Sequence, residues 1–599
     1  MAISATEPAL TANRTFLSDR WLALAAWIFV AGLSIIQTVL HPQAFFLSTD
    51  DAMRLTEVRD LLAGQGWFDL TQQRMNVPFG VAMHWSHLVD AGIAALILFF
   101  RMFANTQTAE TAALWTWPLL TLLPAFVALR TIGARLTGRE GAIIVLLLGA
   151  SCLALLGIFQ PGRIDHHNLQ LTLGISMVAC LIELNEPKCM AAAGGLAALS
   201  LAIGLETLPY VLLAGAVVGV IWVIQGSPSK LATRAFGGAF AGAATLLFFA
   251  ATATAERVTA SCDTYSLFYA PLAMAGGIGL VALSAIGMTS LRDRAFAFAG
   301  LAIVLLALSA SFNPQCLAGP LSAIDAQLDT IWLSRIEEVQ PAWRFAFLEP
   351  GYFVSGYLYA AACFLATLAA LRIAPRELRA PLIVLALFSA MALAIATSEV
   401  RGMNFAILFG LPGMAVFVAM TAIRIQSSKL SSIGRAGAVT IALFLASNVA
   451  FEFASRAFAS SAKDEQSVAH SGFSCFQAGT LQALDALPPG RIAAFIDQGP
   501  GILAYTKHAV VAGPYHRGAN GIIDTYTIFA GREAQARQIL QQRGIDYVVV
   551  CPSSPDYTYY GQQNGLIARL QRHDVPRWLA PMTASTPQLQ IFRVLGDKL

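Results

Sequence analysis

Residues 161–170 read Pro161-Gly162-Arg163-Ile164-Asp165-His166-His167-Asn168-Leu169-Gln170, and they separate two long apolar segments, 140–159 and 168–186. Charged and strongly polar side chains at the edge of the hydrocarbon layer must be paired or solvated, so an aspartate followed by two histidines is costly there. Three potential metal ligands at this position predict a chain with chemistry at a membrane surface.

The composition also indicates a membrane protein. The 599 residues are 56% hydrophobic and 12% charged, with a mean hydropathy of +0.63, whereas about a quarter of the residues in soluble globular proteins are charged. The formal net charge is only +3, and no basic tract is present. This charge pattern argues against a nucleic-acid partner.

Thirteen apolar segments are long enough to cross a bilayer as helices. The segment 91–103 is too short to span, and we expect an interfacial helix there, within the first outer loop. The thirteen segments are 21–40, 112–130, 140–159, 168–186, 190–206, 208–225, 236–254, 270–288, 295–311, 351–371, 380–397, 403–423 and 436–455.

Basic residues predict the orientation. If 91–103 does not cross, the short loops rich in arginine and lysine all fall on one side, as the positive-inside rule requires. We therefore expect an integral plasma (inner) membrane protein with a cytoplasmic N-terminus and an uncleaved first helix. The basic residues are Arg130, Arg135, Arg139, Lys230, Arg234, Arg292, Arg294, Arg372, Arg376, Arg379, Arg424, Lys429 and Arg435.

An odd number of spans places the polar tail on the non-cytoplasmic side. We expect a transmembrane domain over 1–456, with a first outer loop at 41–111 and a fifth outer loop at 312–350, and an extracytoplasmic α/β domain over 457–599. A helical pattern at 531–543 followed by an apolar run at 545–550 supports that domain. Outer cysteines could form disulfides, but their spacing fixes no pairing, and the absence of Cys-x-x-Cys argues against structural zinc. These cysteines are Cys262, Cys316, Cys475 and Cys551.

Two polar clusters on the outer side are candidate sites. Asp50 and Asp51 open a helical stretch just past the first span, where a carboxylate could act as a base or a metal ligand, or simply cap a helix. Asp165 and His167 offer oxygen and imidazole ligands that suit Mg²⁺ or Mn²⁺. The alternative is a helix start that Asp165 caps, with the histidines at the lipid interface.

Charged residues further along the chain could join these clusters. Glu337 and Glu338 precede a proline in the fifth outer loop, where a solvated polar turn is the alternative. Arg401 stands at the outer end of a span and could bind a phosphate, or pair with Glu399. The weaker candidates are His84 near the interfacial helix, Glu206 at an outer helix break, and the sequence Tyr515-His516-Arg517 in the tail.

In this order, the clusters resemble the catalytic subunit of oligosaccharyltransferases, membrane-embedded glycosyltransferases of the GT-C class. The resemblance implies thirteen spans and assigns Asp50 as the catalytic aspartate, because Arg59-Asp60-Leu61-Leu62-Ala63-Gly64 follows at the family spacing. It assigns Asp165 and His167 to the metal motif, with Asp-His-His similar to the archaeal form. It also assigns Glu338 as the glutamate of the fifth outer loop and Arg401 as the arginine that contacts the donor pyrophosphate.

The acceptor-reading motif departs from the family pattern. Where the family has Trp-Trp-Asp-Tyr-Gly, this chain has at best the segment 495–499, Phe-Ile-Asp-Gln-Gly, in which only Asp497 and Gly499 are retained. Arg335 replaces a threonine of the glutamate motif. The donor side is kept and the acceptor side is changed, so we expect that asparagine sequons are not the acceptor.

The resemblance implies an inverting glycosyltransferase that moves a sugar from a polyprenyl phosphate or pyrophosphate to an envelope glycan, lipid or protein. A protein N-oligosaccharyltransferase and a lipid-sugar flippase are the alternatives; a flippase should show repeated halves and ionisable groups near the midplane. The expected roles are catalytic for Asp50 and Glu338, metal-binding for Asp50, Asp165 and His167, donor phosphate-binding for Arg401 and His166, and acceptor-binding for Asp51, His84, Glu337, Asp497, His516 and Arg517. The expected cofactor is a divalent cation, Mn²⁺ or Mg²⁺, and the remaining partners are membrane lipids.

Overall fold

A computed structural model describes residues 16–41, 48–322, 324–458, 475 and 478–596. Its larger part is a helical bundle, and its C-terminal part is a small domain built on a mixed β-sheet. The longer helices of the bundle are Phe16–Leu40, Thr106–Ala150, His167–Leu181, Pro187–Ile203, Leu208–Gln225, Lys230–Ala251, Tyr269–Ala285, Leu291–Phe312, Tyr359–Ile373, Arg376–Ser398, Arg401–Gln426 and Ser432–Ala446.

Each of the thirteen predicted segments is helical over most of its length, because runs of about twenty apolar residues satisfy their backbone internally only as helices. Two of them lie in Thr106–Ala150, which bends at Thr137 and Gly138; the φ of +69° at Gly138 is one that glycine adopts at little cost. Eight described helices are long and apolar enough to span, or nine if one bent pair is a single span. The predicted count of thirteen is therefore not confirmed.

The first outer loop has its own structure. Helix Thr49–Leu62 is followed by a two-stranded hairpin of β1 (Thr71–Gln72) and β2 (Val81–Ala82), and then by helix His87–Arg101. Helix His87–Arg101 covers residues 91–101 of the predicted interfacial segment 91–103 and buries Val89, Ile93 and Ile97 against helix Thr106–Ala150. Gly92 permits this close approach, since a Cβ atom there would lie 2.4 Å from the Trp117 ring.

Several short helices lie in the fifth outer loop and next to the longer helices of the bundle. The fifth outer loop runs through several of them and leads into a π-helical turn at Phe353–Leu358, which continues as the next span. These shorter helices are Leu153–Leu156, Ala326–Ile331, Ala342–Leu348, Pro350–Tyr352 and Asn448–Ser455.

The C-terminal domain is a five-stranded sheet covered by helices, as the predicted α/β class requires. Its strand order is β4-β3-β5-β7-β6, with β3 parallel to β4 and β5, and β7 antiparallel to β5 and β6. The helix at 531–543 and the strand at 545–550 are found as Glu533–Arg543 and β5. The strands are β3 Arg491–Ala493, β4 Ala509–Val510, β5 Tyr547–Val550, β6 Leu579–Pro581 and β7 Gln590–Val594; the helices are Ala478–Asp485, Gly499–Tyr505, Ala519–Ala530, Glu533–Arg543, Pro555–Gly561 and Leu566–Gln571.

Polar contacts attach this domain to the outer loops. Arg74 of the first outer loop donates to the backbone carbonyls of Leu503, Thr506 and His508 at 3.0–3.3 Å. Arg59 donates to the carbonyl of Ala504. Disulfides join Cys262 to Cys316 and Cys475 to Cys551, pairings that spacing alone left open. The hydrogen bonds of Arg74 and Arg59, and not the disulfides, hold the sheet domain against this end of the bundle.

Candidate active site

A cavity of about 950 Å³ lies between one end of the bundle and the C-terminal domain. One wall is polar and comes from the first outer loop, the Asp-His-His turn and the fifth outer loop. Another wall is apolar and comes from the N-terminal ends of helices Leu208–Gln225 and Arg401–Gln426, including Leu208, Tyr210 and Phe405. An apolar wall beside a polar one suits an amphiphilic ligand.

Asp50 points into this cavity from the first turn of helix Thr49–Leu62. Ser48 and Asp51 form a capping box that fixes the start of the helix. Burial raises the pKa of Asp50 well above its usual value, and the negative charges of Asp165 and Glu338 raise it further. A cluster of carboxylates with this charge is stabilised by a cation.

His167 is the residue at which the candidate metal ligands meet. Ligand atoms of Asp50, His167 and Glu338 lie within 4.8 Å of one another, as do those of Asp165, His166 and His167. The Nδ1 atom of His167 lies 3.1 Å from Gln170 Oε1, and the side-chain amide nitrogen of Gln170 donates to Glu206 Oε2. Gln170 Oε1 is therefore an acceptor, so His167 Nδ1 donates to it, and Nε2 is the ring nitrogen left to bind a metal.

Asp165 faces the Nε2 atom of His167. Its Oδ1 atom lies 2.5 Å from His166 Nδ1, and its Oδ2 atom lies 3.3 Å from His167 Nε2. Buried Oδ2 accepts no hydrogen bond from any described residue, so this oxygen is free to act as a cation ligand. The alternative role for Asp165, a helix cap, is wrong: His166 occupies the N-cap position of helix His167–Leu181, and no side chain caps it.

His166 is a different kind of group from His167. It is buried, its Nε2 atom lies 3.5 Å from Glu206 Oε1, and its ring packs 5.6 Å from that of Trp85. Burial alone would lower the pKa of His166, but Asp165 and Glu206 outweigh it and raise that pKa to about 10. A protonated imidazole binds no metal, so His166 suits the role of a positive charge beside the candidate ligands better than that of a ligand.

Two guanidinium groups border the carboxylates. Arg401 lies 3.7 Å from Glu206 and 3.9 Å from both Glu338 and Glu399, distances too long for hydrogen bonds. The alternative of a pair with Glu399 is therefore one loose contact among three. Arg163 lines the same cavity, with NH1 3.2 Å from a carboxylate oxygen of Asp51. Both guanidinium groups have donors left for an anion.

The structure does not place Asp51 where the predicted acceptor role needs it. Asp51 is buried, and both of its oxygens are engaged by residues 48 and 163–165, because its side chain faces that turn instead of the cavity. Arg517 also lies outside the large cavity: it is bound by Asp263 and Glu256 at 2.6–2.8 Å and lines a separate cavity of about 380 Å³.

The remaining residues predicted to bind an acceptor do line the large cavity: His84, Glu337, Asp497 and His516. His516 is partly engaged there, since its Nε2 atom lies 2.6 Å from Asp263 Oδ2. Sequence reasoning missed Arg163 and Asp263. The signal for Arg163 was its place two residues before Asp165, and the signal for Asp263 was an acid beside an outer cysteine.

No protein-family model matches the chain, and no sequence among curated proteins matches it. Solved structures do match. The archaeal oligosaccharyltransferase AglB from Archaeoglobus fulgidus, in complex with an inhibitory peptide and a dolichol-phosphate, is 12% identical with a TM-score of 0.67 over 92% of this chain and 71% of that chain. The A. fulgidus enzyme tethered to an acceptor peptide containing an NVT sequon is 13% identical, with a TM-score of 0.65 over 92% and 71%.

The A. fulgidus oligosaccharyltransferase in complex with Zn and sulfate is also similar, at 12% identity and a TM-score of 0.62 over 90% of this chain and 69% of that chain. The chain therefore has the fold of an oligosaccharyltransferase, and the GT-C fold predicted from the resemblance is confirmed.

Proposed function

We propose that this protein is a membrane-embedded inverting glycosyltransferase that takes a sugar from a polyprenyl phosphate or pyrophosphate. The observation that carries the proposal is the meeting of Asp50, His167 and Glu338 at one point of a cavity that is apolar on its bundle side. Carboxylates and an imidazole suit Mn²⁺ or Mg²⁺. A lipid-linked phosphate sugar is the amphiphilic ligand that both walls of the cavity would fit.

In this mechanism each residue has a defined task. Asp50 accepts a proton from the acceptor or orients it, and Asp50, Asp165, His167 and Glu338 hold the cation. That cation, when bound, offsets the negative charge that develops on the departing phosphate. Arg401 binds the same phosphate.

Two further positive groups would assist. Arg163 approaches the cavity from the side of Asp50, and His166 adds a positive charge that Asp165 fixes in place. Together with Arg401 they offer the leaving phosphate hydrogen-bond donors and charge on more than one side, which stabilises a developing anion in a site shielded from water.

We place the site on the outer face of the plasma membrane, with the N-terminus in the cytoplasm. The distribution of basic residues supports this orientation. Arg401 begins its helix at the cavity while Arg424 lies in the last turn at the other end, and helix Arg376–Ser398 begins with two arginines and ends beside the cavity. Basic loops away from the site are therefore cytoplasmic by the positive-inside rule.

The acceptor is an envelope glycan, lipid or protein other than an asparagine sequon. This part of the proposal rests on the cavity wall around Asp497. Asp556 and Ser554 of the C-terminal domain and Arg335 of the fifth outer loop stand there instead of the tryptophans of the family motif.

The test is donor consumption. Purified protein in nanodiscs would be incubated with a panel of polyprenyl-linked sugars and an envelope extract, with Mn²⁺ or with EDTA, and the lipids followed by mass spectrometry. Metal-dependent loss of one donor supports the proposal and identifies the sugar. Movement of an intact donor across a vesicle membrane without cleavage would instead support a flippase, and transfer to a sequon peptide would support an N-oligosaccharyltransferase.

A further inference from the structure

Asp51 joins the helix that carries Asp50 to the turn that carries the Asp-His-His ligands. Its side chain is fully buried. The Oδ1 atom accepts hydrogen bonds from the backbone amides of Ile164 at 2.8 Å and Asp165 at 2.9 Å. Two consecutive amides held by one oxygen fix the backbone of the turn relative to the helix.

The second oxygen of Asp51 makes separate contacts. Oδ2 accepts a hydrogen bond from the Ser48 hydroxyl at 2.7 Å and lies 3.2 Å from Arg163 NH1. The two oxygens thus have different partners. Oδ1 binds the backbone of the turn, while Oδ2 caps the helix and pairs with Arg163. A substitution can therefore change one of these functions and keep the other.

We propose that Asp51 is a positioning residue that sets the distance between Asp50 and the pair Asp165 and His167, and so the affinity of this site for a divalent cation. The inference rests on the proposed function, since it takes these residues as metal ligands. Adjacent residues on a helix point about 100° apart, so Asp50 reaches the cavity while Asp51 binds the turn. Partners that orient metal ligands typically change metal affinity 10–100-fold when they are altered.

Two conservative variants distinguish position from charge. Asp51→Asn loses the charge but keeps a carbonyl oxygen that can accept from both amides. Asp51→Glu keeps the charge but moves the oxygens outward by one methylene, so they cannot stay in place unless the turn moves. Mn²⁺ binding to the purified protein without donor would be measured by electron paramagnetic resonance of the free ion.

We expect Asp51→Glu to weaken Mn²⁺ binding about 10–100-fold and Asp51→Asn to remain within about threefold of the wild type, since one retained acceptor preserves the turn. Asn105→Ala is the matched control: it removes the side-chain N-cap of helix Thr106–Ala150, which should lower Tm and leave Mn²⁺ affinity unchanged. Asp50→Asn, which removes a ligand, should weaken binding in the same assay.

Equal Mn²⁺ affinity in the wild type and Asp51→Glu would overturn the positioning role, as would equal losses in the Asn and Glu variants. Because no donor is present, these results do not depend on sugar transfer, and a failed donor assay would count against the transferase instead. If the wild type binds no Mn²⁺, or if Asp50→Asn does not weaken Mn²⁺ binding, the metal site is wrong and the inference about Asp51 is wrong with it.

Discussion

The hydroxyl of Tyr515, in the C-terminal domain, donates a hydrogen bond of 3.1 Å to Asp50 Oδ1 at the start of the first outer helix. The Tyr515 ring is buried, and it packs edge-on at 5.4 Å against Trp85. The candidate catalytic carboxylate is therefore oriented in part by the sheet domain. Residues from both parts of the chain form one site.

Tyr515→Phe tests this relationship. A hydrogen bond to a charged group contributes about 1.5–3 kcal/mol, so we expect kcat/KM for donor consumption to fall about tenfold or more. Tyr547→Phe is the matched control, since its hydroxyl donates to the carbonyl of Pro488 within the same domain. If the two variants are equally active, Tyr515 does not orient Asp50.

Removing the cation should stop transfer, because Asp50, Asp165 and Glu338 would then repel the departing phosphate. We expect EDTA to abolish donor consumption and Mn²⁺ or Mg²⁺ to restore it. Glu338→Gln should need more Mn²⁺ for half-maximal rate, since it replaces an anionic ligand with a neutral one. Full activity in EDTA after exhaustive dialysis would exclude the metal and leave the phosphate to Arg401 and the histidines.

Arg401→Gln should raise the donor KM about tenfold or more, because a charge-assisted contact to phosphate is lost. Arg401→Lys should recover part of the affinity but not the paired geometry of a guanidinium. Arg424→Gln, which changes an exposed arginine in the last turn of the same helix, serves as the control. An unchanged KM in Arg401→Gln would assign Arg401 to structure alone.

Arg517 should matter for stability more than for acceptor binding. It joins the C-terminal domain to the segment between helices Lys230–Ala251 and Tyr269–Ala285 through Asp263 and Glu256, and breaking a largely buried pair costs roughly 3 kcal/mol. We expect Arg517→Gln to lower Tm and leave the acceptor KM unchanged. Arg569→Gln, at an exposed pair of the same domain, should change Tm little. A raised acceptor KM at unchanged Tm would restore the acceptor role predicted from the sequence.

Asp497 should make the protein less stable as the pH rises. Asp497 lines the cavity with an exposed side chain, but desolvation by the enclosing walls and then the charge of Asp556 raise its pKa to about 7. The folded state then holds a proton that the unfolded chain releases near pH 4, so stability falls between about pH 4 and pH 7 and is constant above. Asp497→Asn removes this penalty. Its Tm gain over the wild type should be larger at pH 8 than at pH 5; an equal gain at both would contradict the shift.

Local sequence determined the helices and their class. A run such as 403–423 has no backbone partners in lipid except its own, so length and apolarity are enough to predict a helix. Length and apolarity do not predict the number of spans. Thr106–Ala150 joins two predicted segments through a bend, and helices such as Tyr269–Ala285 are shorter than the roughly 20 residues of a typical span.

Motif composition also indicated the chemistry. Asp50, His167, Glu338 and Arg401 are polar groups near the ends of apolar segments, where unpaired charge is costly, and the structure brings them to one cavity, with Asp165 buried beside His167. Ligand type is a property of each side chain, so it can be read without a fold.

Only the tertiary structure determines the different roles of residues that are adjacent in the sequence. Asp50 and Asp51 are both aspartates in one helical turn, and only the packing of residues 163–165 against that helix turns one into a cavity residue and the other into a buried acceptor. Arg517 and the disulfide partners were likewise fixed by contacts between segments distant in the sequence. Periodicity and side-chain chemistry are local and can be read from the chain; the pairing of distant polar groups depends on how the helices pack.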